Sequence, residues 1–206
     1  MTEQEEEYVF YHEIGFALQK WSILESMLLK MCACCGTTRG ESACIAVGFT
    51  SIENFRSKLA YVDTYMQHWL GRNQALRNRW GDLHKRIYSA SARRNEIAHR
   101  QPTKFKDEPS GKRIGLLEPG WYIKPITTSD PHEHRNPITI REIALRSIVF
   151  ENLSIEIDGL CYVVRGLSEP DTKSLLRAER PPTIRQIENR MREVHGRQPR
   201  PSRAKS

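Results

Sequence analysis

The sequence predicts an all-α protein, an up-and-down four-helix bundle carrying a loop or small β-hairpin between its third and fourth long helices. Three observations predict it. Apolar residues recur at helical spacing in four long stretches, a glycine or proline lies beyond each stretch, and the spacing vanishes between Gln101 and Pro137. The chain has 206 residues, 38% of them hydrophobic and 28% charged, which suits one core plus an appendage. The expected organisation is a bundle over 1–168, with the insert at 101–138, followed by a basic, largely disordered tail over 169–206.

The first helix carries Phe10, Ile14, Ala17, Trp21, Leu24, Leu28, Met31 and Cys35, a repeat of about 3.5 residues that Leu18 and Met27 widen. Gly36-Thr37-Thr38-Arg39-Gly40 should end it, because glycine takes a left-handed C-cap conformation without a steric penalty. A short helix over Glu41–Val47 is expected next. Thr50, with Glu53 three residues on, reads as a capping box opening the second long helix, whose stripe is Ile52, Phe55, Leu59, Val62, Met66 and Trp69. Gly71 breaks that helix. The third stripe runs Leu76, Trp80, Leu83, Ile87, Ala90, Arg94, Ile97 and stops before Pro102, so one seam position is an arginine.

Within the insert, Arg113–Leu117 and Trp121–Ile126 flank Glu118-Pro119-Gly120 as a candidate hairpin. Thr139 with Glu142 reads as a second capping box, opening the last long helix with Val149, Leu153, Ile157, Leu160, Val164 and Leu167 on its stripe. Beyond Ser168, proline and charge dominate, a composition too poor in apolar surface to offset its ordering entropy. The exception is 183–195, which Thr183 and Gln186 would cap and in which Ile184, Ile187, Met191 and Val194 share one side, as in a helix that docks on a partner.

Charge is unevenly placed. From Asp171 to Ser206 there are ten Lys or Arg against four Asp or Glu, so nearly all of the net +7 lies in the tail. A cationic arm attracts polyanions without sequence preference. No stretch is apolar enough to span a membrane, and Glu3-Gln4-Glu5-Glu6-Glu7 is the opposite of a secretory n-region, so a cytoplasmic protein with no membrane partner is expected.

Five cysteines, three of them crowded at Cys32, Cys34 and Cys35, fit a reducing compartment better than a disulfide framework. Cys32, Cys35 and Cys44 fall short of the four ligands zinc wants, and His132 and His134 read as a solvated loop, so no metal or other cofactor is expected. The absence of a Gly-rich phosphate loop, H-E-x-x-H and G-x-S-x-G removes support for nucleotide hydrolysis, zinc proteolysis and acyl transfer.

The candidate site is Ala92-Arg93-Arg94-Asn95-Glu96-Ile97-Ala98-His99-Arg100. Asn95 and His99 stand at i and i+4 on one face, while Arg94 lies on the apolar seam. A guanidinium there needs a carboxylate, a phosphate or an interface. Glu25, the acidic residue within the first stripe, is the obvious carboxylate.

The string Arg94-Asn95-Glu96-Ile97-Ala98-His99 resembles the signature of the HEPN superfamily, and its place near the end of the third long helix, before a variable insert, matches as well. Trp21-Ser22-Ile23-Leu24-Glu25 is similar to the first helix of uncharacterised bacterial relatives. The resemblance covers roughly Tyr8 to Leu167. It implies a metal-independent endoribonuclease, a toxin or defence nuclease, acting as a two-fold homodimer with RNA as substrate and an antitoxin or regulatory protein as a further partner. It also implies Arg94, Asn95 and His99 as the catalytic set. In such a site His99 can move a proton as general base or acid, while Arg94 can hold non-bridging phosphate oxygens. Arg93 and Arg100 would bind flanking phosphates. A non-catalytic RNA-binding or protein-interaction module is the alternative.

Overall fold

Five helices and one small sheet carry the fold in the computed structural model, which describes residues 3–36, 38–106, 113–118, 137–166, 182–183, 185–187 and 189. The helices are α1 (Glu3–Cys34), α2 (Arg39–Thr50), α3 (Phe55–Leu70), α4 (Gln74–His99) and α5 (Ile140–Val164). Strands β1 (Gln101–Lys106), β2 (Arg113–Glu118) and β3 (Ile138–Thr139) lie between α4 and α5. The protein is therefore mostly helical. The four long stretches read from the sequence are helices, and the short one expected at Glu41–Val47 is the wider α2.

Apolar stripes explain the packing. Phe10, Ala17, Trp21, Leu24, Leu28 and Met31 of α1 are buried with Leu59, Val62 and Met66 of α3, Trp80, Leu83 and Ile87 of α4, and Leu153, Ile157 and Leu160 of α5. Trp21 sits among them, its ring 4.6 Å from Phe55 and 5.2 Å from Phe150 between centroids.

Cross-helix contacts fix the directions. Lys20 with Glu151, Lys30 with Asp158 and Cys34 with Arg165 advance together along α1 and α5, so these two helices run parallel. Trp21 with Phe55, Glu25 with Lys58 and Cys35 with Met66 likewise make α1 and α3 parallel. Arg86 with Glu156 and Glu96 with Arg146 run in opposite senses, so α4 and α5 are antiparallel. Up-and-down alternation thus holds over five helices rather than the expected four, with short α2 as the return between α1 and α3.

The ends of the helices are set by local chemistry. Thr139 and Glu142 form the expected capping box: Thr139 Oγ1 accepts from the Glu142 amide at 3.3 Å and the Thr139 amide donates to Glu142 at 2.7 Å. The expected Thr50–Glu53 box does not open α3. Asn54 caps it instead, accepting from Ser57 N at 2.9 Å, while the Thr50 hydroxyl donates back to Ala46 and Val47 at the close of α2. Gly71 ends α3 at φ +52, a left-handed conformation glycine adopts without strain.

The insert pairs differently from the expected hairpin. Arg113–Glu118 is a strand, but its partner over the full length is β1, from Gln101↔Glu118 to Lys106↔Arg113, and β3 joins its other edge at Leu116 and Leu117. Trp121–Ile126 lies outside the described residues. Pro102 is tolerated because β1 is an edge strand, where a missing amide donor need not cost a ladder bond. Leu117 and Ile138 enter the core and fasten the sheet to the bundle.

Part of the tail also has a place. Thr183 and Gln186 cap each other reciprocally as expected, and Ile187 is fully buried against Val9 of α1 and Ala144 of α5. Arg141 Nε donates to the Pro182 carbonyl at 3.2 Å beside this contact. The docking surface for this turn is therefore supplied by the chain's own helices. Among the described residues, no helix is long and apolar enough to cross a membrane.

Candidate functional site

Arg94 lies on the inner seam of α4 where apolar packing gives way to a groove of about 570 Å³. The walls come from Trp21 and Glu25 of α1, Phe55 and Lys58 of α3, Ser91, Arg94 and Asn95 of α4, and Glu53 and Asn54 of the turn that leads into α3. The seam position explains the geometry, since the helical period that buries Ile87, Ala90 and Ile97 turns Arg94 inward with them.

The Arg94 guanidinium is held but not neutralised. Its Nη1 donates to Asn95 Oδ1 at 3.1 Å, and its Nε is buried without a hydrogen-bond partner among the described residues. Glu25 lines the same groove, yet its carboxylate takes Lys58 Nζ at 3.2 Å and not Arg94. An intrahelical-bundle ion pair with Glu25 therefore does not account for Arg94. Leaving a buried guanidinium nitrogen unpaired is costly unless another anion supplies the bond.

His99 is the last residue of α4 and is exposed, one turn beyond Asn95. It does not line the groove with Arg94 and Asn95. Arg93 is exposed and reaches Glu96 at 3.4 Å, whereas the Arg100 side chain is almost wholly buried and approaches Glu96 at 3.9 Å. The expected catalytic residues thus share one helix end, with Arg94 and Asn95 in the groove and His99 exposed outside it. Of the two expected phosphate contacts, only Arg93 is exposed to solvent.

Two neighbours were not singled out in the sequence. Arg146 of α5 pairs with Glu96 at 2.8 Å and donates to the Arg93 carbonyl at 3.3 Å. Burial pushes its affinity for a proton down, and Glu96 partly restores it. Three arginines thus gather around one carboxylate at the end of α4. Lys58 is the other. Both residues interrupt apolar stripes, Arg146 three before Val149 and Lys58 three after Phe55, which is the same signal that marks Arg94.

No group of three or more His, Cys, Asp or Glu that could hold a metal ion is assembled among the described residues. Cys35 Sγ instead donates to the Met31 carbonyl at 3.6 Å, and Cys44 is exposed on α2. His132 and His134 lie outside the described residues. Against known proteins, no family model, curated protein or solved structure matches this chain.

Proposed function

We propose that the chain is a metal-independent endoribonuclease of the HEPN type, of the toxin or defence kind, cleaving RNA at a site centred on Arg94, Asn95 and His99. The observation that carries this reading is the Arg94 guanidinium, buried on one edge, braced by Asn95 and open to a groove whose Glu25 carboxylate is taken by Lys58. Such a cation suits the non-bridging oxygens of a phosphodiester, and Asn95 keeps its plane fixed for bidentate contact.

The chemistry asks little more of the protein. The ribose 2′-hydroxyl attacks phosphorus, the bond to the 5′-oxygen breaks, and a 2′,3′-cyclic phosphate is left. One group must accept the 2′-hydroxyl proton and another must protonate the leaving oxygen. The exposed imidazole of His99 can serve in one of these roles, and the His99 of a second copy would serve the other. The HEPN bundle, the homodimer and an antitoxin or regulatory protein that covers the site belong to this same reading, as does a cytoplasmic setting.

A second reading is favoured by one observation, the position of His99 outside the groove that Arg94 and Asn95 line. A module that binds RNA through the arginines without cutting it would have this arrangement too. The deciding experiment incubates wild type and His99→Ala with labelled single-stranded RNA in excess EDTA and maps the 3′ ends. The nuclease reading expects cyclic phosphate ends from wild type, at least a hundredfold less cleavage by His99→Ala, and undiminished binding by that variant. RNA binding without cleavage by the wild type would replace it with the binding module.

A further inference from the structure

At the opposite end of α1 from its N-terminus, four side chains outside the motif meet across the parallel contact with α5. Cys34 is the final residue of α1, and Arg165, just past the end of α5, donates from Nε to Cys34 Sγ at 3.1 Å. Cys161 is one helical turn before Arg165 on the same face of α5 and is 1% exposed, so the contact of Arg165 with Cys34 brings it beside the end of α1. Lys30, one turn before Cys34, adds a second cation, itself tied to Asp158. Tyr162 completes the surroundings, its ring 6.0 Å from Lys30 Nζ.

We infer that Cys34 and Cys161 form a reactive thiol pair that hydroperoxides oxidise to a disulfide joining the last turn of α1 to α5. Cys34 is half-buried, its sulfur accepts from a guanidinium, and Cys161 lies buried on the same face of α5 as that arginine. These are the marks of an attacking thiol and its resolving partner. The hydrogen bond from Cys161, with Arg165 and Lys30 adding to it, favours the Cys34 thiolate, and the same contact holds the proton on Cys161. The nearby thiols are disposed otherwise: burial pushes Cys32 up to about 12 and Cys35 up to about 11.

The reaction balances without a metal or cofactor. The Cys34 thiolate attacks one peroxide oxygen, the O–O bond breaks, and the departing alkoxide or hydroxide takes a proton, leaving Cys34 as the sulfenic acid. The Cys161 sulfur then attacks Cys34 sulfur, releasing hydroxide, which takes the Cys161 proton to become water. Two thiols lose two electrons and the peroxide gains them.

The test treats the full chain near neutral pH with a limiting iodoacetamide dose, using exposed Cys44 as the internal reference, and separately with hydrogen peroxide followed by non-reducing peptide mapping. Cys34 should be alkylated about tenfold faster than Cys44, and its rate should begin to fall only below the ordinary thiol range as pH is lowered. Peroxide should yield a Cys34–Cys161 linked peptide. In Cys161→Ser a sulfenic acid should persist on Cys34 and be trapped by dimedone. Arg165→Gln, at an exposed position, should slow Cys34 alkylation several-fold while leaving the unfolding midpoint unchanged. Equal rates at Cys34 and Cys44, or peroxide products that link other cysteines or stop at Cys34 in the unaltered chain, would overturn the inference.

Discussion

Arg146 of α5 grips Glu96 of α4 at 2.8 Å, so the third residue of the Arg94–His99 motif faces away from the groove and ties two helices together. Both side chains are mostly withdrawn from water, and Arg93 and Arg100 crowd the same carboxylate. Removing the carboxylate leaves three cations facing one another in a partly dry site. Glu96→Ala should therefore destabilise the fold by about 3 kcal/mol, the usual scale for an orphaned buried charge. Urea unfolding measures it, and Arg146→Met in the same chain should recover most of the loss. A Glu96→Ala cost indistinguishable from zero would show that solvent screens the cluster.

Gly115 of β2 lies against the Phe10 ring of α1. A Cβ built there would stand 2.8 Å from two ring carbons, and the ring is buried and cannot swing away. Gly115→Ala is expected to cost about 1–3 kcal/mol through overpacking, with the central strand shifting away from α1. Thermal unfolding reads the cost. Phe10→Leu should relieve part of it, whereas a strictly additive double variant would argue that the two residues do not touch.

Ile187 fills a small apolar site between Val9 and Ala144, and its cap Thr183 satisfies the first turn. An aspartate here would set a carboxylate among the apolar side chains of Val9, Ala144 and Ile140, so Ile187→Asp should release the turn at a cost of about 2–3 kcal/mol to its docking. Limited proteolysis would read the outcome as faster cutting after Arg185. An unchanged digestion pattern would mean that the turn is not held there in solution.

The five helices divide according to what determines them. The stripes that run through Trp21 and Leu24, Leu59 and Val62, Trp80 and Leu83, and Leu153 and Ile157 are local periodicities, and a period of 3.6 residues leaves them one way to be buried together. Thr139 and Glu142 cap α5 through bonds within four residues, so that boundary is legible too. The Thr50–Glu53 pair carries the same pattern and fails, because Asn54 stands next to the first turn and its side-chain Oδ1 accepts from the Ser57 amide.

For the candidate site, sequence placed Arg94 on an apolar seam and Asn95 and His99 four apart, and the helix keeps those relations. It did not determine the partners. Whether Glu25 would neutralise Arg94 depends on how α1 and α3 slide past each other, and the observed register gives Glu25 to Lys58. Arg146 reaches Glu96 only because α4 and α5 run antiparallel with those two residues level. The pairing of β2 with β1 and the seating of Ile187 likewise join segments distant along the chain, where no local period or cap favours one partner over another. Sequence by itself determined which residues form helices and which faces turn inward, since both follow from backbone geometry and apolar spacing. Tertiary packing alone decided which charges meet, because that depends on helix direction and axial register, which the whole core sets at once.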